Sequence, residues 1–593
     1  MADYAPWFKK FLIWRIRHIP ERRFVLLLSI IIGFASSWAA VLIKNITYEI
    51  KFLINQEFIQ GYFDIFYFVF PIIGLCLTYL VTHLFIGPIK SKGISDTLHA
   101  ISKRNGYIPS KAMYSPLINS PLTVGFGGSC GLEGASVYMG SAIGSNLARL
   151  FHLNTKNVIL LIGCAASGVL SSIFHTPIGA IIFTIEIFSL DLTLASLVPM
   201  LLSSIAGSLT SFFIYGDETI FNFTTNDPFK LEQIPFYLIL GVIGAFSSLY
   251  FVTVYKLMGR MFNRMGKSWL KLAIGGVILG LLVYLFPSLY GEGYASMRIV
   301  LAGKQDQLLD LNHLESMQGD LPFALLLLCI VAFKVFATAA TTGAVNVGGV
   351  FSPSLMTGSC MGYAVGLLIN LSGMGEVSPN NFALVGMATQ MAGAMYAPLT
   401  AIFMISELTG TYDLMIPLMM CSAISYSINR YFTKYNVYQE KLAQQNMLVT
   451  HDKDKAVLTM LSLDKVIETN FVPIYPEWTL GKMLTEGVTK STRNIFPVLD
   501  KDDTFLGVVT LDDIRTIMFD ASQYNTLTVS SLMSSAPEII QIDEEMESVM
   551  SKFQHSGAWN LPVCDNEKYI GFVSKSKLLG IYRRKLIHIA GED

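Results

Sequence analysis

Between Phe24 and Tyr431, one apolar run after another is long enough to cross a lipid bilayer, with only short polar breaks between them. A hydrocarbon core about 30 Å thick asks for about 20 apolar residues per helix. Phe24–Ile43, Ile65–Ile86, Phe236–Tyr255, Leu270–Phe286 and Leu321–Phe336 have that length or come near it, the last carrying Lys334 near its end. Charged residues make up 14% of the 593-residue chain, against about 25% in soluble domains. They return from about Gln439 onward, so the chain reads as one large membrane domain followed by a soluble tail. The formal net charge of −1 carries no nucleic-acid signature.

Lys9, Lys10, Arg15, Arg17, Arg22 and Arg23 precede the first apolar run. The positive-inside rule places such an N-terminus in the cytoplasm. Phe8–Phe24 reads either as an amphipathic helix at the headgroups or as a plain cytosolic lead-in. No cleaved signal peptide is expected, because no small-residue cleavage site follows a short apolar stretch. The seven cysteines show no metal-ligand spacing; small buried hydrophobes are the expectation, and no metal site.

Two repeats organise the chain. In the membrane part, Gly163 to Pro177 running on to Glu186 is echoed by Gly386 to Pro398 running on to Glu407, with nine residues from proline to glutamate in each copy. Small residues, a helix-breaking proline and a second apolar segment ending in a carboxylate are the pattern of transporters whose site lies where two halves meet. In the tail, Ile495–Asp500 with Phe505–Ile514 is echoed by Asn560–Asp565 with Tyr569–Leu578. Each tail unit reads as strand, turn, strand, helix, with an amphipathic helix upstream (Thr479–Glu486 and Met546–His555).

Three glycine-rich breaks interrupt the apolar sequence: Ser91-Lys-Gly-Ile-Ser95, Gly127-Gly-Ser-Cys-Gly-Leu-Glu-Gly-Ala135 and Gly348-Gly-Val-Phe-Ser-Pro353. Broken backbone is tolerated at membrane depth where it lines a cavity or is buried in protein. Each break is followed by a segment that can restart a helix. Helix N-termini present unpaired N–H groups and positive partial charge, a ready anion site. Glycines that merely allow tight helix crossings are the alternative.

The order and spacing of these breaks resemble the CLC family of chloride channels and transporters, which carries G-S-G-I-P, G-[KR]-E-G-P and G-x-F-x-P around its anion pathway. Ser91–Ser95, Gly131–Ala135 and Gly349–Pro353 stand in that order, with Glu133 lying 41 positions after Lys92. The tail resembles a pair of CBS domains, a common appendage of that family. The resemblance implies an all-α polytopic membrane domain of inverted repeats with many tilted and re-entrant helices, plus an α/β cytoplasmic CBS pair. It divides the chain into a cytoplasmic segment 1–23, a transmembrane domain 24–440, a linker 441–462, a first CBS domain 463–522 and a second CBS domain with the C-terminal end at 523–593. It further implies a homodimer in the lipid bilayer, in the plasma membrane with both termini cytoplasmic, that moves chloride or a similar small anion. The chain is then not an enzyme, and no cofactor is required, apart from an adenine nucleotide that CBS pairs often bind.

Carried over residue by residue, the resemblance makes Glu133 the gating glutamate, which occupies an anion site when charged and swings away when protonated. It gives Lys92, Gly93, Ile94, Gly131, Gly134, Gly349, Val350 and Phe351 as anion-binding positions at helix N-termini, and Tyr438 as a hydroxyl donor to the central anion. Three departures stand out. Lys92 occupies the position of a serine associated with chloride preference, where its ammonium either enters the site or snorkels to a vestibule. Leu132 and Ala135 replace a basic residue and a proline beside the gate. Ile187, after Glu186, stands where exchangers keep a proton-relay glutamate. Isoleucine carries no proton, which favours passive, channel-like conduction; proton-coupled chloride/proton antiport is the alternative. In the tail, a ribose-binding [ST]-x-x-D pattern is present as Thr510–Asp513 and altered in Ser574–Lys577, where a lysine cannot accept a hydrogen bond. One adenosine site at most is therefore expected, through Thr510 and Asp513. A divalent-cation channel is disfavoured by the anion-type glycine breaks and the C-terminal CBS pair, and an intramembrane protease because His175 is not accompanied by a nucleophilic serine motif.

Overall fold

The computed structural model describes residues 6–54, 63–87, 93–190, 193–216, 229–312, 319–440 and 461–590. It separates into two compact units, Met1–Gln445 and Asn446–Asp593. The first is built of helices, and eight of the described ones are long and apolar enough to cross a membrane. The five runs legible in sequence lie in five of them. The other three are Thr155–Phe174, Leu194–Tyr215 and Phe351–Ser372. These are richer in glycine and serine, because they pack mainly against protein or at close helix crossings. At one crossing a Cβ on Gly207 would stand 2.2 Å from the Gly168 carbonyl oxygen, and at another a Cβ on Gly386 would stand 2.4 Å from that of Gly358. Such contacts let apolar helices approach closely where no hydrophobic drive operates between them.

The membrane repeat folds the same way twice. Thr155–Phe174 ends at His175 and Pro379–Met395 ends at Tyr396, both left-handed, with φ 58° and 56°. Pro177 and Pro398 then open helices of 12 residues, Pro177–Phe188 and Pro398–Thr409. Proline suits a first turn because its missing N–H is unpaired there anyway. At 1.5 Å per residue these helices reach about 18 Å, too short to cross a bilayer. They pack on each other, and each caps the other. Glu407 accepts the Ile178 and Gly179 N–H groups at 3.0 and 2.7 Å. Glu186 accepts the Leu399 and Thr400 N–H groups at 3.1 and 2.8 Å, and the Thr400 hydroxyl at 2.6 Å. The carboxylate that ends each copy thus satisfies the helix start of the other. His175 is hydrogen-bonded through Nε2 to the Ser211 hydroxyl.

At the N-terminal end, Pro6–His18 is a helix held by Phe11 against Phe151 and by Arg15 over the Phe24 ring, 3.9 Å from its centroid. Trp7, Ile13, Trp14 and Ile16 stay exposed, the distribution of an interfacial helix. Of the seven cysteines, five are buried, Cys329 is intermediate and Cys76 is exposed, and all are free.

Among its described residues the second unit holds six strands: β1 Ile467–Glu468, β2 Ile495–Leu499, β3 Phe505–Thr510, β4 Ile540–Gln541, β5 Asn560–Asp565 and β6 Lys568–Ser574. β2 and β3 form an antiparallel pair, and β1, β6, β5 and β4 form a sheet in that order. The lead-in of each repeat pairs with the other repeat: β1 lies on β6, and Ser534 bridges to Val508 of β3. Neither repeat completes its own edge, so the two fold as one body. Helices Leu480–Lys482, continued by the wider turn Met483–Val488, and Met546–Ser556 stand where the amphipathic pattern placed them.

Candidate anion site

All three glycine breaks end in helix N-termini, opening Ile94–Lys103, Glu133–Leu150 and Phe351–Ser372. Two described helix starts elsewhere in the membrane unit carry side-chain caps: Asn154 accepts the Asn157 N–H, and Thr193 with Ser196 forms a reciprocal box. None of these three starts has a side-chain cap. Glycine brings them together. A Cβ on Gly93 would stand 2.8 Å from the Gly134 carbonyl oxygen, and one on Gly134 would stand 3.3 Å from the Gly349 Cα. Gly131 and Gly349 exchange two backbone hydrogen bonds, each 2.9 Å. Uncapped helix starts gathered at one place supply N–H donors and partial positive charge without a buried cation. Beside them lies a cavity of about 30 Å³ lined by residues that include Gly93, Asn119, Ala135, Asn346 and Gly348, room for about one small polar guest.

Residues 73–430 match the voltage gated chloride channel family, and residues 463–520 and 529–584 match the CBS domain. The chain is a member of the CLC family. A ClcB-like protein of Ralstonia nicotianae is 29% identical over 363 residues, 60% of this chain and 80% of that one. The chloride channel protein CLC-e of Arabidopsis thaliana is 25% identical over 461 residues, 68% of this chain and 63% of that one. The solved structure of a slow cyanobacterial Cl⁻/H⁺ antiporter superposes with a TM-score of 0.60 at 20% identity, covering 72% of this chain and all of that one. A eukaryotic CLC transporter gives 0.56 at 16% identity over 93% of this chain and 97% of that one. The fold is therefore a CLC membrane domain followed by a CBS pair, and CLC proteins carry anions across membranes.

Within this CLC site, Glu133 is 1% exposed and lies among the donors. Its Oε1 accepts the Tyr294 hydroxyl at 2.5 Å. Its Oε2 is buried without a hydrogen bond of ordinary geometry, while the Ser352 backbone N–H is directed at the carboxylate. The Phe351 ring closes the wall against Phe174 and Phe183, at 5.3 and 5.8 Å between centroids. Phe174 also meets Tyr294 edge-on at 6.4 Å.

The structure brings Gly93, Ile94, Gly131, Glu133, Gly134, Gly349, Val350 and Phe351 to these converging helix starts, with one correction. The Gly131 and Gly349 N–H groups are not anion donors, because each is spent on the other's carbonyl. The donors left over belong to the first turns beyond them, among them Phe351 and Ser352, since the first intrahelical bond there is Ser354 N–H to Val350. Lys92 lies outside the described residues. Tyr438 is 5% exposed, and its hydroxyl meets the Met395 sulfur at 3.8 Å. Asn436 fixes it by accepting the Tyr438 N–H while donating to the Met395 carbonyl. Ile187 is 2% exposed in the apolar core, and the adjacent Glu186 is committed to the Pro398–Thr409 helix start.

Tyr294 escaped the sequence analysis. Its signal was a further glycine-rich stretch, Gly291-Glu-Gly293, directly before it. Gly291 and Gly293 are left-handed, φ 65° and 98°, and a Cβ on Gly293 would strike the Met356 side chain. The loop is thereby laid against the Phe351–Ser372 helix. It is stitched down by Ser129 Oγ to the Leu289 carbonyl and by the fully buried Lys334, whose Nζ donates to Leu289 and Gly291 at 3.2 and 3.0 Å.

In the tail, Asp513 Oδ2 accepts both the Thr510 N–H and its hydroxyl at 2.7 Å. The pair is a capping box for Leu511–Ile514 that leaves Asp513 Oδ1 over. At the matching place Lys577 donates to the Ile467 carbonyl at 3.0 Å, a cation where the first repeat has the Asp513 carboxylate. Burial pushes the nearby Cys564 thiol up to about 11, so it is an inert hydrophobe.

Proposed function

We propose that this CLC protein conducts chloride or a similar small anion passively, with Glu133 as its gate. The observation that carries the gate is the Glu133 carboxylate among uncapped helix starts, where an anion and the charged carboxylate compete for the same donors. A carboxylate inside a membrane domain is costly unless it has such work. Passive conduction is supported by Ile187, which offers no proton carrier, and by Glu186, whose oxygens are taken. Proton-coupled antiport is the second reading, favoured by the similarity of the fold to proteins described as a Cl⁻/H⁺ antiporter and a fluoride/proton antiporter. The site is one for transport, and it assigns no enzymatic step.

The placement we infer is a homodimer in the plasma membrane with both termini in the cytoplasm, in line with the basic residues before the first span. The tail takes at most one adenine nucleotide per chain, through Thr510 and Asp513.

Chloride efflux from liposomes, recorded together with external pH, tests the transport mode. A chloride gradient is expected to move no proton uphill. A reversal potential that shifts with pH in fixed stoichiometry would replace passive conduction by exchange.

A further inference from the structure

We infer that Tyr294 is an anion ligand of the pathway as well as the latch of its gate. The inference rests on the reading of Glu133 as the gate and goes beyond it. In the closed arrangement the Tyr294 hydroxyl donates to Glu133 Oε1 at 2.5 Å, within the range of an O–H bond to a charged oxygen. The hydroxyl stands beside the Phe351–Ser372 helix start, whose Ser352 N–H is directed at the same carboxylate. When the carboxylate leaves, both donors remain where it was, beside the packed Phe174 and Phe351 rings. An anion entering there takes the phenolic O–H as the carboxylate did.

The chain has built this donor into place. Two left-handed glycines turn the loop, and the Gly291 N–H donates to the Gly127 carbonyl at 3.3 Å. Lys334, buried among apolar residues, spends its ammonium on two carbonyls of the same loop. A buried lysine is costly unless its protons are used, and here they hold the segment that delivers Tyr294. Lys334 is a positioning residue in this scheme, while Tyr294 touches the ion. Besides Tyr294, the titratable groups that feel Glu133 are Glu292, Tyr438 and Cys130. Glu292 is itself paired with Lys51 at 3.7 Å.

Four full-length proteins decide the matter: wild type, Glu133→Gln, Tyr294→Phe and the double variant. Each is read by chloride calorimetry in detergent and by liposome efflux across pH. Tyr294→Phe keeps the ring against Phe174, so the variant should fold, with a loss of stability no larger than that of one hydrogen bond to a charged group. A hydrogen bond to a charged group is worth a factor of about ten or more. The double variant is therefore expected to bind chloride about tenfold more weakly than Glu133→Gln. Tyr294→Phe alone should activate at a pH about one unit higher than wild type, because its carboxylate has lost a donor that favours the charged form. Equal chloride affinity in Glu133→Gln and the double variant overturns the inference even if Glu133→Gln is insensitive to pH, and the gate then stands without Tyr294. Unaltered pH dependence in Glu133→Gln instead sinks the gate itself. Should Tyr294→Phe not be recovered folded, Tyr294→Trp, which keeps a ring and displaces the donor, replaces it with the same expectation.

Discussion

Two places in the membrane unit set a carboxylate against a helix start, and they differ in what is left over. At the seam between the repeats, Glu186 and Glu407 have every oxygen engaged by N–H or hydroxyl donors of the opposite short helix. At the glycine cluster, Glu133 uses one oxygen on Tyr294 and leaves the other without an ordinary hydrogen bond. The first arrangement has no slack and reads as structure. The second has donors and an acceptor in imperfect balance, which is what the proposed exchange of the carboxylate for another anion requires. The same chemical pairing thus serves packing in one region and, on the proposed function, gating in the other, according to how completely it is satisfied.

The largest expected effect lies at the glycine cluster. Glu133→Gln should raise neutral-pH efflux on the order of tenfold, each 1.4 kcal/mol of lost competition being a factor of ten. It should also flatten the pH dependence and leave the melting temperature unchanged. At the seam the pattern should invert. Glu186→Ala or Glu407→Ala orphans helix-start donors and should cost about 2 kcal/mol each, as lost hydrogen bonds to a charged group do. Thermal unfolding of the purified protein measures that, with efflux per folded molecule within about twofold of wild type. A loss of pH response in Glu186→Ala, with stability intact, would erase the distinction between the two places.

The tail repeats the contrast on a smaller scale. Asp513 keeps one oxygen over from its capping box, whereas Lys577 fills the matching place with a cation. Calorimetry of the full-length protein with ATP is expected to give at most one site per chain, and any such site should be lost in Asp513→Ala. Two equivalent sites would mean that the lysine is no obstacle. The smallest effect is expected at Lys334. Lys334→Met removes a clamp on the Tyr294 loop and should move the efflux–pH curve in the same direction as Tyr294→Phe, by a smaller step, as a positioning residue would.

Much of this was open to the sequence because it rests on local rules. Apolar run length marked the helices that face lipid, and the proline-to-glutamate register marked the repeats. Glycine breaks marked the uncapped helix starts, because a membrane helix has few reasons to stop and restart. Helices Thr155–Phe174, Leu194–Tyr215 and Phe351–Ser372 were less visible as spans, since the small and hydroxyl residues that suit close packing dilute an apolar run.

What the tertiary structure alone decided are the partnerships across distance. Gly131 and Gly349 look like anion donors from their motifs, yet each spends its N–H on the other, more than two hundred residues away. Glu186 and Glu407 repeat in sequence, but nothing in the repeat says that each caps the other copy. Tyr294 sits outside every motif, and only the folded loop carries its hydroxyl to Glu133. The reason is physical: a helix start and its orphan donors are written in consecutive residues, whereas the acceptor that satisfies them is chosen by whatever the rest of the chain brings within about 3 Å.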